Sequence, residues 1–210
     1  MMGIDNLLEG EVRGEISSLK KIFMSEIYEL EFIGRGGQGA KTAAELVARS
    51  ALKKGLFVQS FPDYGPERKG APVRAFTRTS HNEIRGCSSE ANPNVIIILD
   101  PTLLALNGTL FTLNEKQTLL VNTNENIDDL RKRLDFNGSL HTIDATKMAL
   151  DLMKSPITNT IMAAALAKIT GFLSLEELKD EINEEFGKKL DVKIINLNYA
   201  ATEKAFNEVR

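Results

Sequence analysis

The stretch EFIGRGGQGA, Glu31 to Ala40, places glycines at 34, 36, 37 and 39, where an apolar run stops and a helical pattern begins. Glycine accepts positive φ and lets another group approach the backbone closely, while the start of a helix offers unpaired N–H groups and a partial positive charge. The chemistry this composition suits is anion binding, phosphate above all, at Gly36, Gly37, Gln38 and Gly39, with Arg35 and Lys41 as nearby cations and Thr42 as a hydroxyl. Gly34, Gly36 and Gly39 match the dinucleotide spacing G-x-G-x-x-G, yet the second strand ends in Gln59 and Ser60, where a nicotinamide site needs an acid for the ribose, and Asp63 lies further into the loop. A Walker-type phosphate loop fails because Ala40 stands between Gly39 and Lys41. The same glycines would equally serve a tight turn with dense strand-to-helix packing, and the residue types alone do not separate the two uses.

A second specialised stretch is SFPDYGPERKGAPVR, Ser60 to Arg74, rich in proline, glycine and charge. Its prolines reduce the entropy of the free loop, so that Tyr64, Glu67, Arg68 and Lys69 can be presented in a fixed arrangement. Loops that follow the carboxyl ends of strands in open α/β sheets lie on the ligand-binding edge. The glycine turn is expected on that same edge. A rigid surface loop with solvated charges has the same composition.

Other chemistries are excluded by count. Cys87 is the only cysteine, so the chain cannot furnish the four thiolates of an ordinary iron–sulfur cluster or form an internal disulfide. His81 and His141 are the only histidines, which leaves no protein-only zinc set without distant convergence. A net charge of -3 argues against nucleic acid as a partner, and the apolar runs are too short to cross a bilayer. No signal-peptide pattern opens the chain, which predicts a cytoplasmic protein. The proportions of apolar (42%) and charged (26%) residues are those of a globular domain, so the chain is expected to fold.

The elements that must position these residues alternate. A strand is predicted over Ile27 to Ile33, a helix over Ala40 to Lys54 ended by Gly55, and a second strand over Leu56 to Phe61. VRAFTRTS, Val73 to Ser80, reads as a strand that turns at "HNE" into a return strand near Ile84 and Arg85; Arg74, Phe76 and Arg78 share one face, read as solvated. NVIIILD, Asn94 to Asp100, has the continuous apolarity of a strand buried on both faces, and Pro101 can open a helix after it. Strands at Thr118–Thr123 and Ser139–Asp144 flank a short helix from Ile127 to Leu134. The remainder reads as helical, with Ser174 and Glu177 in a capping-box pattern, and Asn159 as a candidate cap. Asp100 and Thr102 end the central strand and read as structural. The prediction is an α/β fold: three layers, a mostly parallel sheet with helices on both faces, one antiparallel hairpin and a helical C-terminal region. Residues 1–23 read as an N-terminal extension before a domain over 24–210, with Met24 as a candidate native start.

Taken in order, GRGGQGAKTAAELVA, QSFPDYGPERKGAPVRAFTRTS and NVIIILDPTLL resemble the gamma subunit of the 2-oxoacid:ferredoxin oxidoreductases, in particular the pyruvate type, over a span from about Glu26 to near the C-terminus. The resemblance implies a chain that works within an enzyme converting a 2-oxoacid and coenzyme A to acyl-CoA, carbon dioxide and reduced ferredoxin. It implies alpha, beta and delta subunits as partners, with thiamine diphosphate, magnesium and [4Fe-4S] clusters on those other chains. The implied role of the gamma chain is structural, with no catalytic residue and no metal of its own. The glycine turn then becomes a candidate contact for coenzyme A phosphates, and Tyr64, Glu67, Arg68 and Lys69 a candidate docking surface. The alternative of another class is a stand-alone dinucleotide-binding oxidoreductase domain.

Overall fold

The computed structural model describes residues 27–63, 70–86, 92–108 and 110–210. Tyr64, Glu67, Arg68, Lys69 and Cys87, like the extension 1–23, lie outside the described residues. A six-stranded sheet runs in the order β2-β3-β1-β4-β5-β6, built from β1 (Tyr28–Arg35), β2 (Phe57–Asp63), β3 (Pro72–Ser80), β4 (Val95–Ile98), β5 (Thr118–Asn122) and β6 (Ser139–Ile143). Strands β1, β4, β5 and β6 are mutually parallel, and β3 runs antiparallel to both of its neighbours. The antiparallel hairpin exists, but it joins β2 to β3 through the proline-rich loop. The expected return strand at Ile84 and Arg85 does not form; that segment is irregular, because both edges of β3 are already occupied by β1 and β2.

Val95 to Ile98 are wholly buried at the sheet centre, each contributing roughly 1.5–3 kcal/mol of apolar burial. One face of the sheet is covered by helices α1 (Ala40–Lys53), α3 (Ala145–Met153), α4 (Asn159–Thr170), α5 (Leu175–Phe186) and α6 (Val192–Glu208). Helix α4 has small or apolar residues on every side and is buried almost throughout, as expected of a helix with other layers around it. Ser174 and Glu177 form the reciprocal capping box at the start of α5. On the other face, the 3-10 helix Pro101–Leu106 and helix α2 (Ile127–Leu134) pack on β4, β5 and β6. The three layers are therefore complete over the parallel half.

Over the antiparallel half, that second face carries charge. Glu29 and Glu31 on β1 are buried, and Arg78 on β3, only 4% exposed, pairs with Glu29 at 3.1 Å. Arg74 pairs with Glu31 at 2.5 Å and reaches Asp63 at 3.4 Å, with its guanidinium stacked over Phe76. The solvated face expected for Arg74, Phe76 and Arg78 is thus corrected. Because β3 lies inside the sheet, its arginines meet the acids of β1 directly, and a charge removed from water there persists only with a partner. Burial raises the Glu31 carboxyl above its usual range against the opposing pull of Arg74.

Candidate functional site

The carboxyl ends of β1, β4, β5 and β6 form one rim, and the glycine turn lies on it. Positive φ occurs at Gly37 and Gly39, and at neither Gly34 nor Gly36, so the backbone departs from the pattern a dinucleotide fingerprint suggests. Gly34 sits in β1, where a β-carbon would press to 3.3 Å on both the Gln38 side-chain oxygen and Leu99. Gly39 caps α1 in the left-handed region, and no side chain caps that helix. Its first N–H groups therefore face outward without an intrahelical acceptor.

A second helix begins at the same point. A β-carbon on Gly39 would lie 2.9 Å from Cβ of Asn159 and 3.0 Å from its Nδ2. Asn159 is the first residue of α4, whose cap, Thr158, makes no side-chain hydrogen bond. The expectation that Asn159 caps its helix is corrected: it lies inside the first turn, and its Oδ1 accepts from the neighbouring Thr160 N–H. Its Nδ2 has no hydrogen-bond partner among the described residues, although the residue is only 8% exposed. Two uncapped helix starts thus converge, each with a partial positive charge. Sequence reasoning missed this pairing, and "TNT" carries no signal for it, since it is created by the docking of α4 on α1.

Arg35 and Gln38 turn inward along the rim. The Arg35 guanidinium donates to Asp100 Oδ2 (3.1 Å), the Gly70 carbonyl (3.1 Å) and Thr102 Oγ1 (2.8 Å). Gln38 donates to Asp100 Oδ2 at 2.9 Å and accepts from the Arg35 N–H at 2.7 Å. Gly36 N–H donates to the Ala71 carbonyl at 3.0 Å. The returning end of the proline-rich loop therefore touches the glycine turn, and the common rim expected for both motifs holds at the described residues. Burial tends to raise the Asp100 pKa, but bonds from Thr102 and Gln38 and the Arg35 charge outweigh it and hold it below the ordinary value. Lys41 points into solvent beside Glu45 at 3.5 Å, a surface pair of small energy.

Elsewhere, a depression of about 510 Å3 lined by Asn92, Pro93, Asn94 and Asn114 to Gln117 lies at the opposite edge, by the amino ends of β4 and β5. A smaller one, about 200 Å3, lies on the rim between Thr123, Asp144 and Arg210. Neither depression is lined by a residue of the glycine turn.

The site tests the dinucleotide alternative. A ribose-binding acid should end the strand that follows the glycine-turn helix and lies beside the glycine strand, but β3 intervenes here, so Asp63 at the end of β2 is two strand spacings, about 10 Å, from β1, and Asp100, which ends the adjacent β4, is committed to Arg35, Gln38 and Thr102. What fold and rim define is an open α/β domain in which the glycine turn and the returning end of the proline-rich loop meet at one sheet edge.

The family model for pyruvate ferredoxin/flavodoxin oxidoreductase matches residues 29–208. The chain is 42% identical over 183 residues, 87% of its length and 95% of the relative's, to the pyruvate synthase subunit PorC of Thermotoga maritima. It is 41% identical, over 86% of its length and 96% of the relative's, to the pyruvate/ketoisovalerate oxidoreductases common subunit gamma of Thermococcus kodakarensis. The crystal structure of the pyruvate oxidoreductase subunit PORC of Thermotoga maritima superimposes with a TM-score of 0.77 at 38% identity, covering 89% of this chain and 98% of that one. The chain belongs to the pyruvate ferredoxin/flavodoxin oxidoreductase family and is of its gamma-subunit type. The dinucleotide-binding alternative is not favoured. Among the described residues, no helix is long and apolar enough to cross a membrane.

Proposed function

We propose that this gamma-type chain contributes a phosphate contact for coenzyme A and a docking arm for the catalytic subunits of an enzyme that forms acyl-CoA, carbon dioxide and reduced ferredoxin from pyruvate or a related 2-oxoacid. The observation that carries the coenzyme A contact is the convergence of the α1 and α4 starts at Gly39 and Asn159, both without side-chain caps. Oriented N–H groups and two helix dipoles favour a dianionic phosphate. The ligand's direct donors are the backbone N–H groups of Gly37, Gly39 and the first turn of α1, the Lys41 ammonium and the Asn159 amide; the Gln38 N–H closes the turn on the Arg35 carbonyl at 3.0 Å. Arg35, ion-paired with Asp100, orders the turn, and Gly36 N–H serves the loop.

Alpha, beta and delta chains are the partners in this reading, with ferredoxin engaged through the assembled complex in the cytoplasm. Thiamine diphosphate, magnesium and the [4Fe-4S] clusters belong to those chains; a sequence with one cysteine fits that division. The docking arm is the loop carrying Tyr64, Glu67, Arg68 and Lys69. What supports it is the bracing of the loop at both ends, by Arg74 to Asp63 on one side and by Arg35 to Gly70 on the other.

The test is steady-state kinetics of the assembled complex with Lys41→Ala and Asn159→Asp. Each replacement should raise the KM for coenzyme A about tenfold or more, the scale of a lost hydrogen bond to a charged group, with the KM for the 2-oxoacid unchanged. An unmoved coenzyme A KM in both variants would remove the phosphate role and leave docking alone.

A further inference from the structure

We propose that Asp100 is a positioning residue which, through Arg35, holds the glycine turn and the returning end of the proline-rich loop as a single unit. The clasp itself stands on hydrogen bonds; its effect on coenzyme A rests on the reading above.

The Asp100 carboxylate, at the end of the central strand β4, accepts four bonds. Oδ2 receives Arg35 Nε at 3.1 Å and Gln38 Nε2 at 2.9 Å. Oδ1 receives the Thr102 N–H at 3.0 Å and its hydroxyl at 2.6 Å. That hydroxyl in turn accepts from Arg35 Nη2. A carboxylate this fully engaged has no free oxygen for a base or a cation, and its effect is to fix the arginine fork.

The planar guanidinium holds three separate partners in a set geometry. Through Nη1 it grips the Gly70 carbonyl, and the next residue, Ala71, accepts from Gly36 N–H. The two segments are far apart along the chain, and they meet where the β1–β3 ladder ends at Arg35 and Pro72. Without the carboxylate, an arginine already 37% exposed is free to swing into water, and Gly70 loses its side-chain tether. Lysine at position 35 would keep the charge but lack the fork.

The test is amide hydrogen exchange on the assembled complex, comparing Asp100→Asn and Arg35→Lys with the unaltered chain. Both variants should speed exchange about tenfold or more at Gly36, whose N–H is held by the Ala71 carbonyl, and at Gln38, whose N–H is held by the Arg35 carbonyl, while β5 and β6 stay protected. The coenzyme A KM should rise in parallel. Faster exchange confined to residues 100–103, or at Gln38 without Gly36, would overturn the clasp. If both amides loosen while the coenzyme A KM stays fixed, the clasp stands and the phosphate reading fails. Arg35→Lys alters a partly exposed residue and keeps the test decisive if Asp100→Asn does not assemble.

Discussion

The side chain of Asn159 occupies the space that a β-carbon at residue 39 would need, 2.9 Å from that position. One residue opens α4 and the other caps α1, so the contact fixes how closely the two helix starts approach.

Gly39→Ala should therefore destabilise the chain twice over. The φ of +86 costs a side chain about 1–2 kcal/mol, and the collision adds about 1–3 kcal/mol. Gly37→Ala, at φ +98 with nothing within 4 Å, should show the backbone cost alone. Because the nearest atom to Gly39 is the Asn159 β-carbon, Asn159→Ala should not relieve Gly39→Ala, whereas Asn159→Gly should relieve its collision. Urea midpoints of the single and double variants measure this.

Asp100 gives the chain an acid-sensitive element. Its folded pKa lies below the reference 3.8, so its contribution is present above that value and is lost as pH falls through the depressed folded pKa. Asp100→Asn should be less stable at neutral pH and show a shallower loss of stability below about pH 4, followed by circular dichroism during acid titration.

Tyr28 acts at the alkaline end. Burial raises its phenol from 10.0 to about 12, so the unfolded chain ionises first and stability falls as pH rises from 10 towards 12. Tyr28→Phe should flatten that decline, as read by denaturant unfolding across the range. A Tyr28 phenol titrating near 10 by ultraviolet difference spectroscopy would contradict the assignment.

Glu181 predicts an asymmetry. It is fully buried on α5 and meets Lys53 at 2.6 Å and Arg49 at 3.5 Å, both cations being partly exposed on α1. Removing both cations, as in Arg49→Ala with Lys53→Ala, leaves a buried charge unpaired and should cost about 3–5 kcal/mol. Glu181→Gln should cost only about 1 kcal/mol, because the freed cations can turn into water. Equal losses in the two variants, by chemical denaturation, would contradict this picture.

Local physics made much of the architecture readable from the sequence. Helix 127–134 spans the residues read for it, and Asn126 caps its start with its own side chain. The buried run at Val95–Ile98 announced the sheet centre by its apolarity, and the glycines announced the turn, since positive φ is a property of single residues. Family membership was legible because several separated motifs agree in order. Strand pairing was not: nothing local to Val73–Ser80 says that β3 inserts between β1 and β2, and the burial of Arg78 against Glu29 follows from that insertion. Likewise Arg35, Gly70 and Asp100 come together only when β1, β3 and β4 align, and Asn159 meets Gly39 only when α4 docks on α1. Backbone propensity acts over a few residues, whereas the partners of a buried charge or an uncapped helix start are chosen by packing among segments distant in the chain.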